Sequence, residues 1–339
     1  MKRESISPSR IELLNTCLFK YFCAEGLRIG EKRIRNATEP DAFTRGNLTH
    51  YVLERALTDY ERFLTLEPGE LEKIAEEYTL EFERKEFPGG RARSARKREI
   101  LLAHAAGIAE VLKQMREDMA LSDFRPLEFE MKFAFTLGSV AVSGKIDRVD
   151  VLDKQIRVID YKTGSKRFSY PEIEYGLNMQ ALIYLFAVIS MNDGYKPSGA
   201  FYRLVNGGKT AAKSKPYGAA DDKDNQRDLY KNRIENQGTM GLQFGEAADI
   251  TAINAGFKQK TGGRKDYMKL ESLEEAQFAE LAEKAAQQLR ERLDALYGGD
   301  VRAVPVYSES SPCKYCGYKE ICGNAGKREE VRIDERERD

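Results

Sequence analysis

Three consecutive segments with the residue pattern of β-strands constrain the fold of this chain more than any other feature. They alternate apolar with polar residues or are rich in β-branched residues, and loop-forming residues separate them. The segments are residues 127–137, 139–152 and 155–163. We predict three consecutive antiparallel strands near the middle of the chain.

Two aspartates on these predicted strands lie within apolar stretches, where an unpaired charge is costly. Asp147 is in the run GKIDRV and Asp160 is in the run VIDYK. Because residues two apart share a face of a strand, Asp160 and Lys162 project the same way, and hairpin pairing brings Asp147 towards Asp160. Two adjacent carboxylates repel each other unless a cation lies between them, and their oxygens suit Mg²⁺ or Mn²⁺.

A lysine beside such an ion can orient an attacking water or neutralise charge on a phosphate. We therefore predict a site for phosphodiester hydrolysis at Asp147, Asp160 and Lys162. The alternative is a salt-bridged sheet surface, where aspartate, arginine and lysine are common. The apolar sequence around both aspartates favours the catalytic interpretation.

Helical patterns dominate both sides of these strands. We predict helices over residues 8–26, from about residue 45, and over 70–85, 95–121, 175–192 and 271–297, with a fourth strand over 198–205. A loop is expected at about 206–228, and the last dozen residues are expected to fray. The fold is thus predicted as α/β, with a helical segment over 1–122, a core over 123–300 and a cysteine-rich tail over 301–339.

Composition excludes some classes of protein and leaves others open. The 339 residues include 55 basic and 55 acidic ones, so the whole chain lacks the basic excess typical of a nucleic-acid binder. Five positive charges within residues 91–98 are interpreted equally well as a phosphate-contact patch or a solvated helix face. No apolar run of about 18 residues predicts a membrane span, and the start does not suggest a secretory signal, so we expect a cytoplasmic protein.

The run GGKT at 207–210 does not predict ATP binding. The phosphate-binding loop requires a glycine five positions before Gly208, and Arg203 is found there.

The acid followed by Asp160-Tyr161-Lys162 resembles the pattern of the PD-(D/E)XK nuclease superfamily, in its RecB-like branch. The resemblance implies a mixed central sheet flanked by helices, and a metal site formed by His50, Asp147, Asp160 and the backbone carbonyl of Tyr161. Like that branch, the chain carries a glutamine and a tyrosine four apart on the following helix. These are Gln180 and Tyr184, which the resemblance adds to the catalytic group with Asp147, Asp160 and Lys162. Glu130 resembles the auxiliary acid of the family, although a surface glutamate is nearly as common there.

Cysteines cluster near the C-terminus in a C-x₂-C-x₅-C array formed by Cys313, Cys316 and Cys322. Clustered thiols in a chain without a secretory signal indicate metal rather than disulfides. A four-ligand site needs one more thiol, and only Cys17 and Cys23 remain. Zinc and a [4Fe–4S] cluster both satisfy this donor set.

The whole chain also resembles the C-terminal nuclease region of the AddB family of helicase–nuclease subunits. That resemblance implies a [4Fe–4S] cluster of structural role on Cys17, Cys313, Cys316 and Cys322. It further implies exonuclease action on single-stranded DNA during double-strand-break processing and recombinational repair, with an AddA-like helicase subunit as partner. The alternatives are a CRISPR-associated iron–sulfur exonuclease and a catalytically inactive DNA-binding scaffold. Intact Asp147, Asp160 and Lys162 disfavour the scaffold.

Overall fold

The structure is a computed structural model that describes most of the chain. The described residues are 5–30, 39–87, 95–120, 122–164, 168–205, 239–244, 268–308, 311–323 and 330–333. The loop predicted at 206–228 and part of the basic cluster at 91–98 lie outside these residues.

A six-stranded mixed sheet, in the order β1-β2-β3-β4-β5-β6, forms the centre of the molecule. Its strands are β1 (Arg125–Leu137), β2 (Val140–Leu152), β3 (Gln155–Lys162), β4 (Lys196–Leu204), β5 (Thr239–Phe244) and β6 (Met268–Leu273). The first three are antiparallel, as predicted, whereas β4 is parallel to β3. β5 is antiparallel to β4 and parallel to β6. Sequence patterns missed β5 and β6, because six residues are too few to establish a period against their surroundings.

Nine α-helices are found in the described residues. They are α1 (Pro8–Thr16), α2 (Leu18–Tyr21), α3 (Ala42–Leu57), α4 (Tyr60–Thr65), α5 (Pro68–Glu86), α6 (Ala95–Ala120), α7 (Tyr170–Glu174), α8 (Gln180–Met191) and α9 (Glu275–Tyr297). α3 begins three residues before the predicted start, because Asp41 caps it by accepting a hydrogen bond from the backbone N–H of Thr44 at 2.8 Å. The short α4 was not predicted.

The predicted continuous helix over 8–26 is wrong, because the helix breaks at Cys17. Cys17 has extended backbone angles, φ −167° and ψ 118°, between α1 and α2, and a π-helical turn (Phe22–Gly26) follows. One turn earlier, Thr16 Oγ1 donates to the carbonyl oxygen of Glu12 at 2.7 Å. Such a side-chain bond to residue i−4 competes with the helical hydrogen bonds and bends a helix.

Two further helix boundaries differ from the prediction. The helix predicted over 175–192 begins only at Gln180, because Gly176 before it has φ +74°, which is incompatible with a right-handed helix. The helix predicted over 271–297 begins at Glu275, since residues up to Leu273 belong to β6. Glu274 and Gln277 form a capping box at its start.

Helices cover both faces of the sheet and bury two apolar layers. α1, α8 and α9 pack on one face, with buried residues such as Leu14, Leu185 and Leu289. α3, α4, α5 and α6 pack on the other, with Leu53, Phe63, Leu71 and Leu112. β3 contributes to both layers, since Ile156 and Val158 face the first and Ile159 and Tyr161 face the second. The predicted α/β architecture is confirmed.

The C-terminal segment returns to the body of the protein. β7 (Val306–Tyr307) pairs in parallel with β8 (Val331–Arg332), so part of the segment expected to fray forms regular structure. Within the described ranges, no helix combines the length and apolar character needed to cross a membrane.

Candidate functional site

Three carboxylates form a row across β1, β2 and β3. The register pairs Phe129 with Arg148, which places Glu130 beside Asp147 on one side. On the other side, Asp160 lies one step beyond the last paired residues of β2 and β3, again opposite Asp147. The hairpin therefore brings the two aspartates together, as the sequence predicts, and Glu130 joins them from the third strand.

His50 reaches this row from α3. Its Nδ1 lies 3.3 Å from Asp147 Oδ1, and one ligand atom from each of His50, Glu130 and Asp147 lies within 4.8 Å of the others. Burial alone would lower the pKa of His50, but the hydrogen bond and negative charge of Asp147 outweigh it and raise that pKa. An imidazole nitrogen and carboxylate oxygens at this spacing form a donor set suited to a divalent cation.

Glu130 is held in an uncommon backbone conformation, with φ +52°. A glutamate rarely occupies the left-handed region, and such strain persists only where surrounding contacts enforce it. Its carboxylate also contacts Lys145, on the neighbouring strand β2. Glu130 is therefore a built part of the site rather than a surface glutamate, which sequence patterns alone left open.

Asp160 is the most buried acid of the row, with a relative exposure of 2%. Its Oδ2 lies 2.5 Å from Lys162 Nζ, an ion pair without hydrogen-bond geometry, so this buried oxygen lacks a hydrogen-bond partner. Burial raises the pKa of Asp160 to about 7, with the charge of Asp147 adding to the effect and Lys162 opposing it. A divalent cation would satisfy the oxygen and lower the cost of ionising Asp160, so the residues present fit a metal ion.

Lys162 is held by a chain of side chains from α8. Its Nζ donates to Gln180 Oε1 at 2.7 Å, and Gln180 Nε2 donates to the hydroxyl of Tyr184 at 2.7 Å. Burial raises the pKa of Tyr184, so its hydroxyl stays protonated. The four-residue spacing thus places Gln180 and Tyr184 on one helical face towards the lysine, as predicted.

Tyr161 connects β3 to β2 through its backbone. Its N–H donates to Asp147 Oδ2 at 2.7 Å, and its buried ring meets the His50 ring edge-on at a centroid distance of 6.1 Å. These contacts orient two candidate metal ligands. The metal-binding role expected for the Tyr161 carbonyl stays a prediction.

A buried charge cluster behind the sheet was missed by sequence reasoning. Arg148 donates two hydrogen bonds to Asp150, at 2.5 and 2.6 Å, and Arg157 Nε donates to the same carboxylate at 2.9 Å. Burial opposes ionisation of Asp150, but the two guanidinium groups outweigh it and lower its pKa. The cluster joins β2 to β3 immediately next to Asp147. The available signal was charge within strand patterns that are otherwise apolar.

The cysteines meet where the two ends of the chain pack together. Tyr318, between Cys316 and Cys322, donates its hydroxyl proton to the carbonyl oxygen of Ile29 at 2.6 Å. Burial raises the pKa of Cys17, and the negative charges of Cys313 and Cys316 contribute further. The N-terminal and C-terminal thiols are therefore neighbours.

Cys23 lies in the same region as the other cysteines. Burial raises its pKa as well, with contributions from the charges of Cys316 and Cys322. All five thiols are free of disulfides. Thiolates are the ligands that zinc and iron–sulfur clusters prefer, so this donor set fits either group.

The described members of the basic cluster at 91–98 already have partners. Arg98 pairs with the buried Glu83 at 2.9 Å, Arg96 pairs with Glu99 at 3.5 Å, and Lys97 lies over the ring of Phe87. These contacts favour a structural interpretation of the described part of the cluster.

Comparison with known proteins assigns the class that this fold and site define. The family model of the PD-(D/E)XK nuclease superfamily matches residues 5–323. The chain belongs to this superfamily.

Its curated relatives include proteins named as one of the subunits of an ATP-dependent helicase/deoxyribonuclease. The chain is 27% identical over 350 residues to that of Exiguobacterium sibiricum, covering 93% of this chain and 30% of the relative. It is 28% identical to that of Caldanaerobacter subterraneus, covering 93% and 29%, and 25% identical to that of Clostridioides difficile, covering 95% and 30%. The predicted likeness to AddB-type subunits is confirmed, and the chain spans about 30% of the length of these relatives.

Proposed function

We propose that this chain is a divalent-metal-dependent deoxyribonuclease. The observation that carries the proposal is the convergence of His50, Glu130, Asp147 and Asp160 beside one lysine, Lys162. Oxygen and imidazole donors of this kind suit Mg²⁺ or Mn²⁺. A cation held there supplies positive charge at a scissile phosphate and at the attacking water.

Each side chain has a distinct part in the proposed hydrolysis. His50, Asp147 and Asp160 hold the ion, with Glu130 as an additional carboxylate and the Tyr161 carbonyl as a backbone ligand. Lys162 positions the attacking water and offsets negative charge on the phosphate. Gln180 fixes the lysine by accepting its hydrogen bond, and Tyr184 fixes Gln180.

The proposed substrate is single-stranded DNA, cut as an exonuclease during double-strand-break processing and recombinational repair. The relatives named as subunits of an ATP-dependent helicase/deoxyribonuclease support DNA as the substrate and a helicase as the partner. Because the chain spans about 30% of these relatives, a helicase would deliver the strand to the site described above.

We further propose that Cys17, Cys313, Cys316 and Cys322 hold a [4Fe–4S] cluster of structural role. The meeting of thiols from both ends of the chain supports a shared soft-metal site. Such a cluster would hold α1 against the C-terminal segment. Visible absorbance that bleaches with dithionite distinguishes it from zinc, which is colourless, and iron analysis gives an independent measure.

The nuclease proposal is tested with an end-labelled single-stranded oligonucleotide, in Mg²⁺ or Mn²⁺, on wild type and Asp160→Asn. The control is Asp153→Asn, which removes an exposed acid from the β2–β3 turn. Asp153 has φ +50°, a conformation that asparagine also adopts. We expect cutting by wild type and the control and none by Asp160→Asn. Equal cutting by all three would overturn the assignment of the site.

A further inference from the structure

The turn that precedes α8 is conformationally strained. Gly176 has φ +74° and Asn178 has φ +55°. The left-handed region is easy for glycine and unusual for other residues. This turn ends directly before Gln180, the residue that binds Lys162. Whatever holds the turn therefore determines where the catalytic lysine lies.

α1 holds the turn through a buried side chain. Asn15 Nδ2 donates to the carbonyl oxygen of Gly176 at 2.9 Å, and Asn15 is 3% exposed. A Cβ atom at position 176 would lie 2.3 Å from Asn15 Nδ2, which is closer than atoms can approach. The turn and α1 are thus in direct contact at this point.

The first turn of α8 has no cap of its own. The residue before it, Met179, offers no side-chain hydrogen bond, so the free backbone N–H groups find distant partners. Glu12 Oε1, on α1, accepts from the N–H of Gln180 at 3.3 Å. The hydroxyl of Tyr202 accepts from the N–H of Ala181 at 3.2 Å. A carboxylate at this end also interacts favourably with the helix dipole.

We propose that Glu12 and Asn15 are positioning residues for Lys162. Glu12 binds the backbone of Gln180, and the side chain of the same Gln180 binds the lysine, so a shift at the first turn of α8 moves the lysine. This inference rests on the proposed nuclease function. A displacement of about 1 Å at a catalytic group is enough to slow a reaction severely.

The route also connects two parts of the molecule that lie far apart in sequence. α1 ends at Cys17, so the helix that caps α8 is the one that leads to the cysteines. Both groups on α1 contact α8 or the turn before it across more than 160 positions of sequence. Neither group touches the acidic row through a hydrogen bond or ion pair of the described residues, so their effect on hydrolysis is indirect.

The first test compares Glu12→Ala, Glu12→Gln and the control Ser9→Ala on single-stranded DNA with Mn²⁺. Glu12 is half-buried, so its variants are expected to fold. We expect Glu12→Ala to lower kcat by about tenfold, about 1.4 kcal/mol, with KM for DNA unchanged. Glutamine keeps the acceptor oxygen, so Glu12→Gln retains most of the activity, and Ser9→Ala behaves as wild type. An unchanged kcat in Glu12→Ala, or an equal loss in Glu12→Gln, would overturn the proposal.

The second test does not depend on cleavage. Hydrogen exchange followed by mass spectrometry reports amide protection over residues 176–184 in wild type, Glu12→Ala and Asn15→Ala. We expect faster exchange there in both variants, with β2 and β3 as protected as in wild type. Unchanged exchange at 176–184 rules out the anchoring. If wild type fails to cut DNA while exchange responds as expected, the nuclease proposal fails and the anchoring of α8 stands.

Discussion

Replacing Asp160 by asparagine should stabilise the metal-free protein while abolishing its activity. Asp160 is buried, and its pKa of about 7 lies well above the ordinary value of 3.8. Below pH 4 both folded and unfolded forms hold the proton, and folding carries no penalty. As the pH rises towards 7, only the unfolded form releases the proton freely, so wild type loses stability. Asparagine has a similar shape and no proton to lose.

The size of this effect follows from the two pKa values. Ionisation linkage predicts that wild type loses about 3 kcal/mol of unfolding free energy relative to Asp160→Asn between pH 5 and pH 8. For a chain of this size, that corresponds to a difference in Tm that grows by roughly 5 °C over the same interval. The loss of the ion pair with Lys162 shifts the variant at both pH values, so the pH dependence is the informative quantity.

Calorimetry or dye-monitored melting at pH 5 and pH 8, with a chelator present, measures this difference. Asp153→Asn is the control and should follow wild type at both pH values. Addition of Mn²⁺ at pH 8 should raise the Tm of wild type more than that of Asp160→Asn, because binding stabilises the folded form that keeps the ligand. A Tm difference between wild type and Asp160→Asn that is the same at pH 5 and pH 8 would refute the reasoning.

Three further outcomes are expected. Lys162→Ala should lower kcat by about 10²–10³-fold with the Tm nearly unchanged, because the side chain acts on the reacting groups; cleavage kinetics and melting measure this. Asp150→Asn should cost about 3–5 kcal/mol of unfolding free energy, because it leaves the buried Arg148 and Arg157 without their shared carboxylate; urea denaturation measures it. Cys17→Ser should reduce bound iron and lower the Tm, because α1 loses its tie to the C-terminal thiols; iron analysis and melting report it.

Each of these expectations has a clear contrary result. A fully active Lys162→Ala variant would remove the lysine from the reaction. An Asp150→Asn protein as stable as wild type would mean that the buried cluster is relaxed by other groups. Full iron content in Cys17→Ser would assign the fourth thiol to Cys23 instead.

Local periodicity explains what could be predicted from the sequence. Strand alternation placed Asp160 and Lys162 on one face, and helical spacing placed Gln180 and Tyr184 together, because backbone geometry alone sets these directions. The pairing of β2 with β3 followed from their short connection, which brought Asp147 opposite Asp160. The acidic centre of the site was therefore accessible from neighbouring residues in the chain.

The errors in helix boundaries have a different origin. The break at Cys17 and the late start of α8 fall in segments whose apolar residues keep a helical period. Conformation there is decided by single residues with special backbone angles, such as Gly176, and by partners that lie elsewhere in the chain. A periodic pattern carries no information about such partners.

By itself, the sequence determined the α/β class, the acidic row of β2 and β3 and the thiol donor set, because these depend on contacts between near neighbours or on residue type. Tertiary structure alone decided that Glu130 completes the row and that Glu12 caps α8. Both depend on how separate elements pack around the sheet, where burial forces each polar group to find a partner at whatever sequence distance the fold provides.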